Sequence, residues 1–251
     1  MNKAIIEHLF TFWSEIGRLG GFLYSEEGIR HTLAPEKSWP SKVFGLGPSR
    51  IDENQLLENI RVGAWPNSVG IYEDVESKNL LVNNGFKLSS TVKAMALKVS
   101  NGFDQIVDLG TIAPVKSDEE VQAFAKIASM AFGYPVLTKT LSPLLQASSF
   151  QLFLGIHEDD YASCGMVFTD QDGISGIHMI GTLPEFQGLG LGKKMTQYLV
   201  KNAKEKGSIY VYLVASQAGE GIYAKMGFKT YGVLESYQLP DGLEHQHSTG
   251  S

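Results

Sequence analysis

Apolar residues in the first twenty positions fall at Ile5, Ile6, Leu9, Phe12, Trp13 and Ile16, a helical spacing that gathers them on one face. Glu7 and Glu15 interrupt that run, so the segment predicts an amphipathic helix rather than a signal peptide or a membrane span. From about Phe103 the order of elements is easier to follow. "DLGTIAPVKS" reads as a strand running into Ser117. Ser117 followed by Glu120 is a capping box, in which each side chain satisfies backbone N–H groups at the other's end of the first helical turn. Val121, Phe124, Ala128 and Phe132 then mark the buried face of a helix, and a shorter helical piece is expected from Leu137 to Ala147.

Three strand-like runs follow: "FQLFLGIH", "YASCGMVFT" and "GISGIHMIGTL", separated by the turn-rich "EDD" and "DQDG". Their short separations predict an antiparallel meander. A glycine-rich loop comes next, then a helix with Leu191, Met195, Tyr198 and Leu199 inward and an end near Gly207. "IYVYLVA" is apolar almost throughout and predicts a strand buried on both faces. "EGIYAKMGF" reads as a short helix stopped by Gly227, and "KTYGVLESYQL" as one more strand or two. The sum is an α/β domain of ordinary size.

Part of this pattern occurs twice. "VGIYEDVESKNLLVNNGFKLSSTVKAMAL", from Val69 to Leu97, aligns without gaps on "VYLVASQAGEGIYAKMGFKTYGVLESYQL", from Val211 to Leu239, at a constant offset of 142. Gly85-Phe86-Lys87 falls on Gly227-Phe228-Lys229. The echo suggests duplication of one domain whose first copy has lost its front half; the alternative is a common local pattern of strand, helix and strand. "GLGPSR" at residues 45–50 does not repeat the glycine loop, being interrupted by proline.

Composition narrows the partners. The chain has 251 residues, 43% of them hydrophobic, enough for one large or two modest cores. Its formal net charge is -6, with no basic stripe or tail, which excludes nucleic acid as an expected partner. Mild acidity suits an amine acceptor, and it equally suits an ordinary soluble surface. The only cysteine, Cys164, has no partner for a disulfide within the chain, which fits a reducing, cytoplasmic setting. In "ASCGMVF" it reads as a small buried thiol. His245 and His247 lie in the tail "LEHQHSTGS", expected to be disordered, and are not read as ligands; no metal is expected.

The chemistry concentrates in "HMIGTLPEFQGLGLGKKM", His178 to Met195. Backbone N–H groups at a helix start converge and the helix dipole adds positive potential, so alternating glycines there make a cradle for phosphate oxygens. A Walker A loop fails, because Gln187 stands where its first glycine belongs and Lys194 where its Ser or Thr belongs. A dinucleotide fold fits poorly, because Pro184-Glu185-Phe186 intervenes and the next strand ends in Ala215-Ser216 without an acid.

Gln187-Gly188-Leu189-Gly190-Leu191-Gly192 resembles the [RQ]-x-x-G-x-[GA] loop of the GNAT superfamily of N-acetyltransferases, which binds the pyrophosphate of acetyl-coenzyme A. "LVASQAGEGIYAKMGF" resembles that family's closing motif, with Tyr223 four residues before Gly227-Phe228. The asparagine that many members carry at the start of the last helix is absent; Ser216 or Gln217 stands there. The resemblance covers about Phe103 to Leu239 and implies a mixed, mostly antiparallel central sheet flanked by helices, preceded by a smaller partial GNAT-like domain. On that reading residues 1–102 are a degenerate N-terminal domain, 103–240 the catalytic domain and 241–251 a tail.

The resemblance also implies roles. The cofactor's pantetheine arm would pair with the backbone of Ile180, Gly181 and Thr182. The amides of Gln187, Gly188, Leu189, Gly190, Leu191 and Gly192 would take the pyrophosphate, with Lys193 reaching phosphate oxygens or simply solvated. Tyr223 would protonate or hydrogen-bond the departing sulfur, the plain alternative being a packed aromatic on an amphipathic helix. His178 is the candidate base, against a structural histidine in a strand, and Glu185 a second candidate. The acceptor would be a small-molecule or peptide amine, with no membrane involved. The alternative function is a non-catalytic acyl-coenzyme A sensor.

Overall fold

The structure is a computed structural model that describes residues 1–26, 29–46, 53–99 and 112–240. The onset near Phe103, the later part of "GLGPSR" and the tail from residue 241 lie outside the described residues. In chain order the elements are α1 (Asn2–Gly20), β1 (Leu23–Glu26), β2 (Ile29–Thr32), β3 (Lys42–Phe44), α2 (Glu53–Arg61), β4 (Val69–Tyr72), α3 (Val75–Asn83) and β5 (Lys87–Lys98). There follow β6 (Ile112–Pro114), α4 (Asp118–Phe132), α5 (Thr138–Leu141), β7 (Phe150–His157), β8 (Asp160–Thr169), β9 (Ser175–Thr182), α6 (Leu191–Glu205), β10 (Tyr210–Ala215), α7 (Gln217–Lys225) and β11 (Lys229–Gln238). The chain divides into two compact units, Met1–Ala94 with Tyr231–Ser251, and Met95–Thr230.

In the first unit the strands run in the order β1-β2-β3-β4-β11-β5. β3 and β4 are registered parallel, Val43 opposite Val69, whereas β1 with β2, β2 with β3 and β4 with β11 are antiparallel. The N-terminal segment forms α1 as its periodicity predicts, burying Ile5, Ile6, Leu9, Phe12, Trp13 and Ile16. It ends at Gly21, whose φ of 73 is the left-handed conformation that glycine adopts without a Cβ penalty. The core of this unit joins Val43, Leu56, Ile60, Trp65, Ile71 and Tyr237.

In the second unit the order is β10-β9-β8-β7-β6, with the last residues of β5 beside β10. The predicted meander is present: β7, β8 and β9 pair antiparallel in sequence. The capping box is present too, with Ser117 Oγ accepting from Glu120 N at 3.2 Å and Glu120 Oε2 accepting from Ser117 N at 3.0 Å. The helix α6 seats Met195, Leu199, Val200 and Ala203 on the sheet, against Phe153, Val167, Ile177 and Leu213. That seating depends on bare backbone beneath it, since a Cβ on Gly165 would lie 2.9 Å from both Leu199 Cδ1 and Met195 Cγ. The sheets are thus mixed, mostly antiparallel and flanked by helices, as the sequence predicts.

Two boundaries differ from expectation. The piece from Leu137 to Ala147 is α5 followed by a 3-10 turn over Ser142–Gln146, because Pro143 lacks the N–H that would continue an α-helix. The helix predicted from Glu220 begins at Gln217, since Ser216 Oγ accepts from Gly219 N and fixes the start earlier.

Candidate functional site

The site is built at the end of β9. Between Cys164 and Met166 on β8 the chain advances two residues, while their partners Gly181 and His178 on β9 are three apart. The extra residue makes a bulge, and Met179 takes it up with a φ of 53. A left-handed conformation costs a non-glycine residue about 1–2 kcal/mol, so the register on both sides must enforce it. Cys164 Sγ donates to the Met179 carbonyl at 3.4 Å, which satisfies the bulge from below. Burial pushes that thiol up to about 12, so Cys164 is a structural thiol and not a nucleophile.

On its other side β9 leaves β10. The parallel ladder is registered at Val211 with Ser175 and Tyr212 with Gly176, and no pair is registered beyond them. From Ile177 onward no ladder pair joins the two strands, and in the same register β10 ends opposite Met179, which gives β9 an edge inside the sheet over its last residues. Ile180, Gly181 and Thr182, the residues expected to meet the cofactor arm, lie along that edge just after the bulge.

The two faces of β9 have different surroundings. Ile177 and Ile180 pack into the core under α6, and Thr182 Oγ1 lies 3.7 Å from a Cβ built on Gly192. Gly181 faces the other way, where a Cβ would stand 2.9 Å from Ala131 Cβ on α4. Met166 opposes His178 as Cys164 opposes Gly181, so His178 shares the α4 face with Gly181. It is 7% exposed.

Beyond β9 the chain makes a 3-10 turn over Pro184–Phe186, then the loop Gln187 to Gly190, then α6. Gly188 and Gly190 have φ values of 84 and 77, and a Cβ on either would meet nothing within 4 Å, so both face open space. Gly190 is the N-cap of α6 and no side chain caps that end, whereas α3, α4 and α7 are capped by Asp74, Ser117 and Ser216. The amides of the first turn of α6 are therefore left to solvent or to an anion. Gln187, Leu189 and Lys193 are exposed around this cradle and Leu191 is buried beneath it. Glu185 is exposed beside it.

Tyr223 sits on α7 and packs against the same core as Met195 and Leu213, its ring edge-on to Phe228 at 5.9 Å. Gly219, one turn earlier, makes room for it: a Cβ there would stand 3.0 Å from Tyr223 Cε2. Burial pushes the phenol up to about 12, so it is protonated at neutral pH and available as a donor. Sequence reasoning missed the bulge at Met179 and the room supplied by Gly219. Methionine does not mark a bulge, and a glycine within a short helix does not disclose which side chain it makes room for.

Comparison with known proteins gives this architecture a family. The acetyltransferase (GNAT) domain matches residues 112–247, more than half of the chain, which therefore belongs to the GNAT acetyltransferase family. A GCN5-related N-acetyltransferase from Kribbella flavida matches in structure with a TM-score of 0.69 and 21% identity, covering 91% of this chain and 94% of that one. A putative GNAT-family acetyltransferase from Novosphingobium aromaticivorans matches with a TM-score of 0.60 and 11% identity, over 90% of this chain and 94% of that one. A GCN5-related N-acetyltransferase from Sphaerobacter thermophilus matches at 0.58 and 13%, over 92% and 84%. At these identities the structures share the fold. No curated protein matches the chain. Among the described residues, no group of His, Cys, Asp or Glu side chains is placed to hold a metal ion, and no helix is long and apolar enough to cross a membrane.

Proposed function

We propose that the chain transfers the acetyl group of acetyl-coenzyme A to a primary amine by direct attack within a ternary complex. The observation that carries this reading is the end of the β9–β10 ladder ahead of a helix start that no side chain caps. A pantetheine arm would complete the open edge at Ile180, Gly181 and Thr182 as an added strand. The pyrophosphate would lie on the amides of Gln187 to Gly192, with the exposed Lys193 adding charge. The thioester would then fall near the bulge at Met179.

The amine nitrogen attacks the thioester carbonyl; a C–N bond forms and the C–S bond breaks. His178, on the α4 face of β9, would take the proton the amine loses. Tyr223 would donate a hydrogen bond to the sulfur as it accepts the electron pair. The enzyme's further contribution is to hold both substrates in line. A lone, buried cysteine supports a cytoplasmic setting.

Duplication is part of the same reading, with a degenerate half over residues 1–102 and a catalytic half over 103–240. Local geometry in the two copies supports it at the same offset of 142. The helices α3 and α7 correspond residue for residue, Val75–Asn83 with Gln217–Lys225. Asp74 caps Ser77 N as Ser216 caps Gly219 N. Gly85 and Gly227 have φ values of 89 and 94, and Phe86 N bonds Leu81 O as Phe228 N bonds Tyr223 O. Within the first unit β11, the last strand of the second copy, pairs with β4, the first strand of the first copy. Leu81 occupies the position of Tyr223 and offers no hydroxyl, so the first copy would be catalytically silent.

Thiol release from acetyl-coenzyme A, measured against a panel of primary amines, tests the proposal. Amine-dependent release is expected. Coenzyme A binding with no turnover on any amine would favour the sensor instead.

A further inference from the structure

Resting on that reading, the acceptor must approach the thioester from one face of β9. On the α6 side Ile177 is buried and Ile180 half-buried in the core that holds Met195 and Leu199, and that side also carries the cradle assigned to the pyrophosphate. The other face carries α4, which closes onto Gly181 through Ala131. The next residue, Phe132, brings its Cε2 to within 3.7 Å of the Gly181 Cβ position. The helix then ends at Gly133 in the left-handed conformation, φ 74, and turns Tyr134 back beside Phe132. The two rings stack, centroids 5.6 Å apart and planes 16° from parallel.

This pair is exposed at a place where burial is the rule for aromatics. Phe132 is 37% and Tyr134 39% exposed. No charged residue lies between Lys126 and Lys139. The turn is held in shape, because Ser129 Oγ accepts from Val136 N at 2.9 Å and donates to Val136 O at 3.3 Å, while Gly133 N bonds Ser129 O at 3.0 Å. Rings fixed in this way present apolar area with little ordering cost on binding.

We infer that Phe132 and Tyr134 form the wall that receives the carbon skeleton of the acceptor, and that the preferred substrates are primary amines bearing an aromatic or extended alkyl group. Small polar amines gain nothing from such a wall, and polycations find no carboxylate on it.

The full-length protein is tested with acetyl-coenzyme A and four amines: 2-phenylethylamine, n-hexylamine, ethanolamine and spermidine. The expected kcat/KM for the first two exceeds that for ethanolamine and spermidine by about tenfold or more. Phe132→Ala and Tyr134→Ala should each raise KM for 2-phenylethylamine by about tenfold, with coenzyme A affinity and thermal midpoint unchanged, and Tyr134→Phe should retain the wild-type KM. Equal or better turnover of ethanolamine or spermidine, or KM values that ignore both alanine variants, would overturn the assignment while leaving acetyl transfer intact. Absence of turnover on every amine would remove the assignment and the proposed activity together.

Discussion

Replacing Tyr223 with Phe separates a chemical role for that residue from a packing role. The ring and its edge-on contact with Phe228 remain, and only the hydroxyl is lost. Burial pushes that hydroxyl up to about 12, against about 8.5 for an ordinary thiol, so handing its proton to a solvated thiolate runs uphill by about 5 kcal/mol. Complete proton transfer at that cost is the weaker option. A hydrogen bond to a developing negative charge contributes about 1.5–3 kcal/mol, which predicts a fall in kcat of about 10- to 150-fold for Tyr223→Phe. Coenzyme A affinity should stay within about twofold, because the hydroxyl acts on charge that appears only in the transition state. Stopped-flow thiol release at saturating amine, alongside calorimetry, reads both quantities. The same phenol should produce no alkaline limb in kcat below about pH 11, since it is still protonated there. A kcat within about threefold of wild type would refute the argument and return Tyr223 to the core as a packed aromatic.

Other outcomes follow from packing and burial. Gly165→Ala would drive a methyl into Met195 and Leu199 and lift α6 from the sheet, lowering stability by about 1–3 kcal/mol in a urea titration; an unchanged midpoint would mean that α6 is not seated as described. Cys164 has a folded-state pKa of about 12 against an ordinary value of 9.0, so the unfolded chain ionises first and stability is lost as pH rises between those values. Cys164→Ala should remove that part of the alkaline decline, and a decline of the same depth in the variant would assign it to other groups.

The sequence was most informative where a physical constraint is local. Ser117 and Glu120 announce the start of α4 because capping is satisfied within one turn. The runs that become β7, β8 and β9 are legible because short polar turns leave antiparallel pairing as the simplest closure. The cradle was legible because glycine adopts the left-handed φ values found at Gly188 and Gly190 without a Cβ penalty. Met179 was not, since its left-handed conformation is imposed by a register mismatch with β8 and nothing about methionine signals it. Nor could "KTYGVLESYQL" disclose that it pairs with Val69–Tyr72, because that partner lies far back in the chain. The rings of Phe132 and Tyr134 look in sequence like the end of a helix's buried face and the residue after its cap. Their exposure emerges only from where Gly133 turns the chain.

Everything proposed about catalysis depends on the amides at the start of α6 holding a diphosphate. Isothermal titration of the wild-type chain and of Gly190→Val with coenzyme A tests this most directly. A β-branched residue held at φ 77 is strained by about 1–2 kcal/mol and places its side chain in the open space over those amides. Saturable binding to the wild type is expected, with an affinity lower by about tenfold or more in the variant and a thermal midpoint lowered only by the few degrees that this strain implies. No binding to the wild type, or equal affinity in both proteins, would contradict it.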